Sequence, residues 1–419
     1  MIGTNSPGSW FFAAGLLGAS CIGLMTLGCS GGSDSRTDGS TRIKVCYLGL
    51  TCEPPIFVAY EKGFFKEEGL DVELVKSDWD SMRDGLGLGR FQATHHLVMY
   101  MVKPMEAGLD VKLTGGIHTG CLRLQAGNKT TIKSAKDLKG KKIGITHMGS
   151  PPFLFACRVL IAAGLDPKKD VKWFTFPAGA MSLALDQGRV DAVASAEPIG
   201  TMLIAHDKVH KVSDQAMDAP YDDEYCCAVI VNGRFARENP AGAAKVTHAL
   251  LKGAKWVSLN PLAAAKLAVE KKYVAATAEI NAQAIRALKY EPGVAKCKRN
   301  VREISLEMKK PGFLKSGTDP EELAKNAWLD LDGVTDEWIK GLKVEKVAGG
   351  GPVPILTGRA FAAIFDRGPL CDDSGGMGCC DELGRGLLPM TGEWALVRPT
   401  RLDRRLNPEG GNGLGQPIR

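Results

Sequence analysis

The sequence has no block of basic residues interleaved with aromatic residues. Its formal net charge is only +6 over 419 residues. Nucleic-acid-binding surfaces depend on concentrated Lys and Arg that neutralise phosphates, so this composition argues against a nucleic-acid partner. The hydrophobic content of 44% and the charged content of 24% are typical of globular domains, and the length allows two domains of ordinary size.

Paired C-x-x-C units are also absent, although the chain has 12 cysteines. Their irregular spacing argues against a zinc ribbon, and disulfide pairing cannot be read from it. We expect most single cysteines, such as Cys46 and Cys157, to be small core residues. Cys226 and Cys227 are adjacent and poorly placed to bridge each other.

Basic residues are missing ahead of the apolar run Trp10–Leu27, since the first one is Arg36. The run otherwise has the character of a secretory signal core. With the polar stretch after it, it resembles a bacterial lipoprotein signal, in which Cys29 is lipidated. We therefore predict a signal and polar tether over residues 1–41, with a lipid anchor to the membrane. Lipidation at Cys21, other cleavage, or an uncleaved anchor are the alternatives.

Strand and helix signals alternate from residue 42, which is typical of an α/β fold with parallel sheets. The predicted strands are 43–49, 71–76, 91–95, 111–117, 141–146, 171–176, 190–194 and 224–231. The predicted helices between them are 54–68, 78–88, 98–107, 151–163, 179–187 and 198–206. Long helical patterns follow at 241–258, 261–272, 277–288 and 321–327.

An internal echo indicates two similar halves. The segment Ile143–Asp166 reads as a strand, a loop ending at the helix cap Ser150, and a helix that begins with two prolines. The segment Val45–Asp71 repeats that order. Two such halves suggest two lobes facing across a cleft, with ligand bound at the carboxyl ends of the strands.

Three longer motifs carry a family resemblance. They are PPIFVAYEKGFFKEEGLDVELV, SAKDLKGKKIGI and ALDQGRVDAVASAEP. Residues 43–340 resemble a substrate-binding protein of an ABC importer, from the branch that serves nitrate, bicarbonate, sulfonates and thiamine-pyrimidine precursors. The resemblance implies a two-lobe, type II periplasmic-binding-protein fold with mainly parallel sheets.

Two crossover strands would join the lobes, and we place them near Leu122–Ala126 and Cys226–Val231. Lobe one then combines residues 42–125 with 232–345, and lobe two is 126–231. Residues 346–419 are Gly-rich and lack periodicity, so we predict a low-complexity, disordered tail.

The resemblance further implies a receptor that is not an enzyme. It would bind a small anionic or polar solute of the nitrate, bicarbonate or sulfonate class and close on it by hinge bending. Its partners would be the permease and ATPase of the importer, and it would be a monomer at the periplasmic or outer face of the cytoplasmic membrane. We expect no cofactor, no catalytic residue and no metal ligand.

The candidate ligand-binding residues are those at the predicted strand ends: Thr51, Cys52, Glu53, His95, His96, His118, Thr119, His147, Gly149, Ser150, Glu197, Tyr225 and Cys226. Hydroxyls suit an oxygen-rich ligand, and a cationic histidine would tighten anion binding as pH falls from about 8 to 6.

Three alternatives stay open from the same residues. Glu53 and Glu197 would repel an anion, which favours a zwitterionic or cationic ligand. The His and Cys side chains would suit zinc or copper. Cys52 or Cys121 beside a histidine would make an activated thiol, as an enzyme needs.

Overall fold

The computed structural model describes residues 41–349. The predictions for the leader, for Cys29 and for nearly all of the tail lie outside this range. The described part contains two five-stranded sheets flanked by helices. Within residues 41–349, no helix combines the length and apolar character needed to cross a membrane.

The first sheet has the strand order β2-β1-β3-β10-β4. Its strands are β1 (Thr41–Tyr47), β2 (Leu70–Lys76), β3 (Ala93–Leu97), β4 (Val111–Thr119) and β10 (Tyr225–Asn232). Strand β1 runs parallel to β2 and β3, whereas β10 is antiparallel to both of its neighbours. Four strands therefore point their carboxyl ends to the same edge.

The second sheet repeats this design with the order β7-β6-β8-β5-β9. Its strands are β5 (Leu122–Gly127), β6 (Lys142–Ile145), β7 (Lys172–Thr175), β8 (Ala192–Ala196) and β9 (Val209–Asp214). Here β5 is the antiparallel member, between β8 and β9. The predicted α/β class with mainly parallel sheets is confirmed.

Helices cover both sheets. They are α1 (Pro54–Glu61), α2 (Phe64–Glu67), α3 (Trp79–Gly87), α4 (Val98–Glu106), α5 (Pro151–Ala162), α6 (Met181–Asp186), α7 (Ile199–Ala205), α8 (Gly233–Glu238), α9 (Pro240–Leu259), α10 (Pro261–Glu270), α11 (Ala278–Arg286), α12 (Ala295–Lys309), α13 (Pro320–Ala327) and α14 (Asp336–Gly341). One predicted helix, 54–68, is broken in two because Gly63 adopts a left-handed φ of 79°.

The chain passes between the sheets at different points from those predicted. Segments Leu122–Ala126 and Cys226–Val231 are interior strands of the second and first sheet, not the connections. The connections are the short turn between β4 and β5 and residues 215–224 between β9 and β10. Each one delivers the antiparallel strand of the sheet it enters. The division into two lobes at the predicted boundaries stays a prediction.

One continuous apolar core includes residues of both sheets, such as Val45 in the first and Ile143 in the second. The longest helix, α9, contributes Trp256, which is 1% exposed. Helices α1 and α5 each begin with two prolines, as predicted, and Ser150 accepts a hydrogen bond from the Phe153 N–H. These helices follow the strand ends where the candidate residues lie.

Candidate functional site

The loop between β1 and α1 is held in place by Glu53. Its carboxylate accepts hydrogen bonds from the backbone N–H groups of Leu48 (2.9 Å), Gly49 (2.7 Å) and Leu50 (2.8 Å). Burial raises the pKa of this carboxyl from 4.5 to about 7, although the three N–H groups oppose the rise. The loop amides are therefore satisfied by Glu53, which sets the position of Thr51 and Cys52.

The histidines of β3 point to opposite faces of the sheet, as successive strand residues do. The His95 ring lies 5.1 Å from the His118 ring of β4, measured between centroids. The His96 ring instead packs against Trp79 (5.1 Å) and Tyr100 (5.4 Å). Only His95 and His118 therefore face each other.

Burial keeps these three histidines neutral. It lowers the pKa of His95 well below its usual value, the pKa of His96 to about 3, and the pKa of His118 as well. The cationic histidine that we expected near pH 6 is therefore not found among these three, because burial removes an imidazolium from water and this cost outweighs the opposing effect of Cys121 on His118.

Two cysteines complete a compact group with the facing histidines. The ligand atoms of Cys52, His95, His118 and Cys227 all lie within 4.8 Å of one another, and all four residues are buried. Cys52 comes from the β1–α1 loop, whereas the other three come from adjacent strands β3, β4 and β10. Sequence reasoning named the first three of these residues and missed Cys227.

The reason for the miss lies in the register of β10. In a strand with regular alternation, Cys226 and Cys227 would point to opposite faces of the sheet, so only one of them would face the site. The pairing of β10 with β4 shifts register on both sides of Cys227. Such bulges re-aim side chains, and the two sulfurs lie 3.9 Å apart in the buried interior.

Cys121 adds a fourth thiol at the turn between β4 and β5. The neighbouring thiols of Cys226 and Cys52 hold the pKa of Cys121 well below its usual value. Burial instead raises the pKa of Cys226 and of Cys227. The sulfur atoms thus form a linked set beside the two histidines.

Several buried polar atoms in this region have no hydrogen-bond partner. They are the Oγ1 atoms of Thr51 and Thr119, both ring nitrogens of His95 and of His96, and Nε2 of His118. Leaving a buried polar group unpaired costs about 1–3 kcal/mol. Residues 51, 95, 118 and 119 belong to or follow the parallel strands β1, β3 and β4 of the first sheet. Their unmet hydrogen-bonding capacity makes this region the candidate ligand site.

The second sheet contributes an ion-pair network. Arg123 of β5 pairs with Glu197 after β8 (2.8 Å) and with Asp214 of β9 (3.0 Å), and all three side chains are nearly buried. Burial raises the pKa of Glu197, although Arg123 opposes the rise. Glu197 is thus paired within the protein, and the positive charge of Arg123 is balanced by two carboxylates and would attract an anionic solute only weakly.

The remaining predicted residues are placed differently. His147 and Gly149 are exposed on the loop before α5, outside the buried group. Ser150 is buried and acts as a helix cap. The Tyr225 hydroxyl donates to the carbonyl of Glu291 (2.5 Å).

Sequence reasoning also missed Tyr290, which precedes α12. Its hydroxyl donates to the carbonyl of Cys52 (3.2 Å), and its ring lies 5.2 Å from the His118 ring. No sequence signal pointed to Tyr290, because it follows the predicted helical pattern at 277–288 and lies 238 residues from Cys52. For Cys227, the adjacent pair with Cys226 was the available signal.

Comparison with known proteins identifies the family of the chain. A family model described as the NMT1-like family matches residues 36–270. The chain belongs to the NMT1-like family. Among curated relatives of this NMT1-like protein, the nitrate/nitrite binding protein NrtA of Nostoc sp. is 24% identical over 260 residues, which are 56% of this chain and 58% of the relative. The bicarbonate-binding protein CmpA of Synechococcus sp. is 24% identical over 51% of this chain and 53% of its own.

Solved structures agree on the fold of the NMT1-like chain. The alkanesulfonate-binding protein SsuA of Xanthomonas axonopodis pv. citri has a TM-score of 0.57 and 14% identity, over 68% of this chain and 98% of its own. The periplasmic nitrate-binding protein NrtA of Synechocystis has a TM-score of 0.58 and 18% identity, over 73% and 90%. The chain spans less than two thirds of the curated relatives above.

Proposed function

We propose that this chain is the extracytoplasmic solute receptor of an ABC importer and that it is not an enzyme. Its solute would be a small anionic or polar molecule of the nitrate, bicarbonate or sulfonate class. The observation that carries the proposal is the pair of buried, unpartnered hydroxyls of Thr51 and Thr119, which lie beyond β1 and at the carboxyl end of β4. The nitrate-binding and bicarbonate-binding relatives supply the solute class.

Recognition would rest on neutral donors. The hydroxyls of Thr51 and Thr119 are buried and free to donate, and a hydroxyl rotates to suit the oxygen it meets. Arg123 is held by two carboxylates, so we do not assign it to the solute. A bound oxyanion would accept hydrogen bonds from these two hydroxyls and relieve the cost of leaving them unpartnered, which is free energy gained only in the complex.

Closure around the solute would use the two connections between the sheets. The first is the short turn before β5, where Gly120 has a φ of 77° and lies against Ala216 of the second connection. Hinge motion needs only a few residues to change conformation. We expect the radius of gyration in small-angle scattering to fall on saturation with solute, and an unchanged radius would contradict a hinged receptor.

Calorimetry on hydroxyl-deleted variants tests the binding site. Thr51→Val and Thr119→Val keep the side-chain shape but remove an unpartnered hydroxyl. We expect each to weaken binding of nitrate, or of the sulfonate that binds best, by about tenfold, which is about 1.4 kcal/mol. Thermal stability should stay the same or rise, because no internal hydrogen bond is lost.

Thr114→Val is the matched control. Thr114 is equally buried, but its hydroxyl is bonded to that of Thr247 at 2.8 Å. This variant should lose stability and keep its affinity. Absence of binding for every anion tested, or unchanged affinity in both site variants, would overturn the proposal.

Location forms a separate part of the proposal. The apolar run before Cys29 supports export and lipidation, with the permease and ATPase of the importer as partners of a monomeric receptor. Metabolic labelling with a palmitate analogue should mark the parent chain and the Cys21→Ala control, and should fail in Cys29→Ala. Label that persists in Cys29→Ala, or none in the parent, would contradict lipidation at Cys29.

A further inference from the structure

The four-residue group of Cys52, His95, His118 and Cys227 has the composition of a tetrahedral metal centre. Two thiolates and two imidazoles are a common ligand set for structural zinc. Zinc–ligand bonds of roughly 2.0–2.3 Å place ligand atoms about 3.3–3.8 Å apart in a tetrahedron. The ligand atoms here already lie within 4.8 Å of one another, so small side-chain movements would close the site.

Hydrogen bonding prepares His118 as a ligand. Its Nδ1 lies 3.2 Å from the carbonyl oxygen of Thr119, which can only accept, so Nδ1 carries the proton. The lone pair is then on Nε2, and this atom is buried without a partner. A metal-ligating histidine is usually oriented by such a bond from its other nitrogen. Both nitrogens of His95 are equally buried and unpartnered, which leaves one of them free to bind a cation.

We propose that Cys52, His95, His118 and Cys227 bind one Zn²⁺ ion between strands β3, β10 and β4 and the β1–α1 loop. The ion would be a resident metal and not the transported solute. Four protein ligands fill the tetrahedral shell, which is the arrangement of a structural site with no open position for a substrate. All four come from the first sheet and its β1–α1 loop, so binding would not require movement of the second sheet.

The balance of charge favours a divalent cation in this buried site. Binding would deprotonate the two thiols and release two protons, so that Zn²⁺ and two thiolates form a neutral centre. A neutral centre avoids the cost of an unpaired charge in the buried interior.

The ligands are also held by rigid neighbours. Three lie on hydrogen-bonded adjacent strands, where β10 pairs with β3 on one side and β4 on the other. The Cys52 loop is fixed by Glu53 and by the Tyr290 hydroxyl on the Cys52 carbonyl. Ligands positioned by such contacts lose little freedom when a metal binds.

Metal analysis of the full chain, purified without chelator, tests the inference. We expect one zinc per chain by mass spectrometry of the digested protein, and cobalt substitution should give tetrahedral d–d bands with a thiolate-to-cobalt charge-transfer band. Cys52→Ser and Cys227→Ser should weaken zinc binding by more than about 100-fold. Cys297→Ser changes a buried cysteine on α12 outside the group and should keep full zinc content.

If a variant fails to fold, the cobalt spectrum of the parent chain still tests the inference, because it reports the metal ligands without any substitution. Less than half a zinc per chain after zinc titration, no charge-transfer band, or full zinc in both ligand variants would overturn the inference. Calorimetry with nitrate on the same samples tests the proposed solute function independently of the zinc site. Anion binding without zinc refutes the metal site alone, and zinc without anion binding refutes the solute proposal alone.

Discussion

Replacing Arg123 with Met is the perturbation whose effect follows most directly from the structure. Arg123 lies on the antiparallel strand β5 and pairs with Glu197 after β8 at 2.8 Å and with Asp214 of β9 at 3.0 Å. Because β8 and β9 are the two neighbours of β5, this side chain joins three strands. Its removal leaves two carboxylates, 1% and 6% exposed, without their cation.

The magnitude follows from burial. Breaking a buried ion pair by removing one partner costs about 3–5 kcal/mol, since the remaining charge is left uncompensated. With an unfolding entropy of roughly 2.1 cal/mol/K per residue over roughly 300 folded residues, 1 kcal/mol shifts the melting temperature by about 1.5 °C. Arg123→Met should therefore melt about 5–8 °C below the parent. Methionine retains most of the side-chain volume, so loss of packing adds little.

Urea unfolding followed by circular dichroism is the assay, with Arg42→Met as the control. Arg42 pairs with Glu73 at 3.8 Å, but both side chains are about half exposed, and such pairs contribute at most about 1 kcal/mol. Adding Glu197→Gln and Asp214→Asn to Arg123→Met should recover part of the loss. A cost below about 1 kcal/mol for Arg123→Met, or no recovery in the combined variant, would refute the reasoning.

Two other predictions concern the β1–α1 region. Burial raises the pKa of Glu53 to about 7, so the folded state holds its proton more tightly than the unfolded state. Its contribution to stability is therefore full below about pH 4.5 and is lost as pH rises toward 7, with a slope of up to about 1.4 kcal/mol per pH unit. Glu53→Gln should flatten this dependence in urea unfolding between pH 5 and 8, and an unchanged slope would contradict it. Gly253→Ala should destabilise by about 1–3 kcal/mol, because the new Cβ would lie 2.4 Å from the Pro55 carbonyl oxygen. Gly317→Ala, which meets nothing within 4 Å, is its control.

Regular elements were predictable where the hydrophobic period was long or the cap residues were clear. Helix α5 begins at its Ser150 cap as expected, and the helices predicted near Ala241–Ser258 and Pro261–Lys272 are found within a few residues. Strand β9 and helix α12 were not predicted. The buried residues of α12 do recur at helical spacing, but several of them are polar, such as Asn300 and Ser305, so the apolar signal in the sequence is diluted. Strand β9 is only partly buried and lacks a regular alternation.

The candidate site was predictable in its location more than in its chemistry. The rule that ligands bind at the carboxyl ends of parallel strands identified Thr51, His95 and His118. It could not show that the histidines are neutral, because that depends on burial by residues distant in sequence. Nor could it select Cys227, since a bulge in β10 decides where this side chain points.

The charges near the site restrict how a solute can be held. The buried cations Arg123 and Arg158 are each paired with carboxylates. Burial keeps His95, His96 and His118 neutral. An oxyanion would therefore meet neutral hydrogen-bond donors, whose energy per contact is smaller than that of charged donors. Such a site would select by the number and direction of oxygen atoms, because it offers little net attraction to negative charge itself. If the proposed function holds, weakly hydrated oxyanions, which lose least on leaving water, should bind here more tightly than strongly hydrated ones.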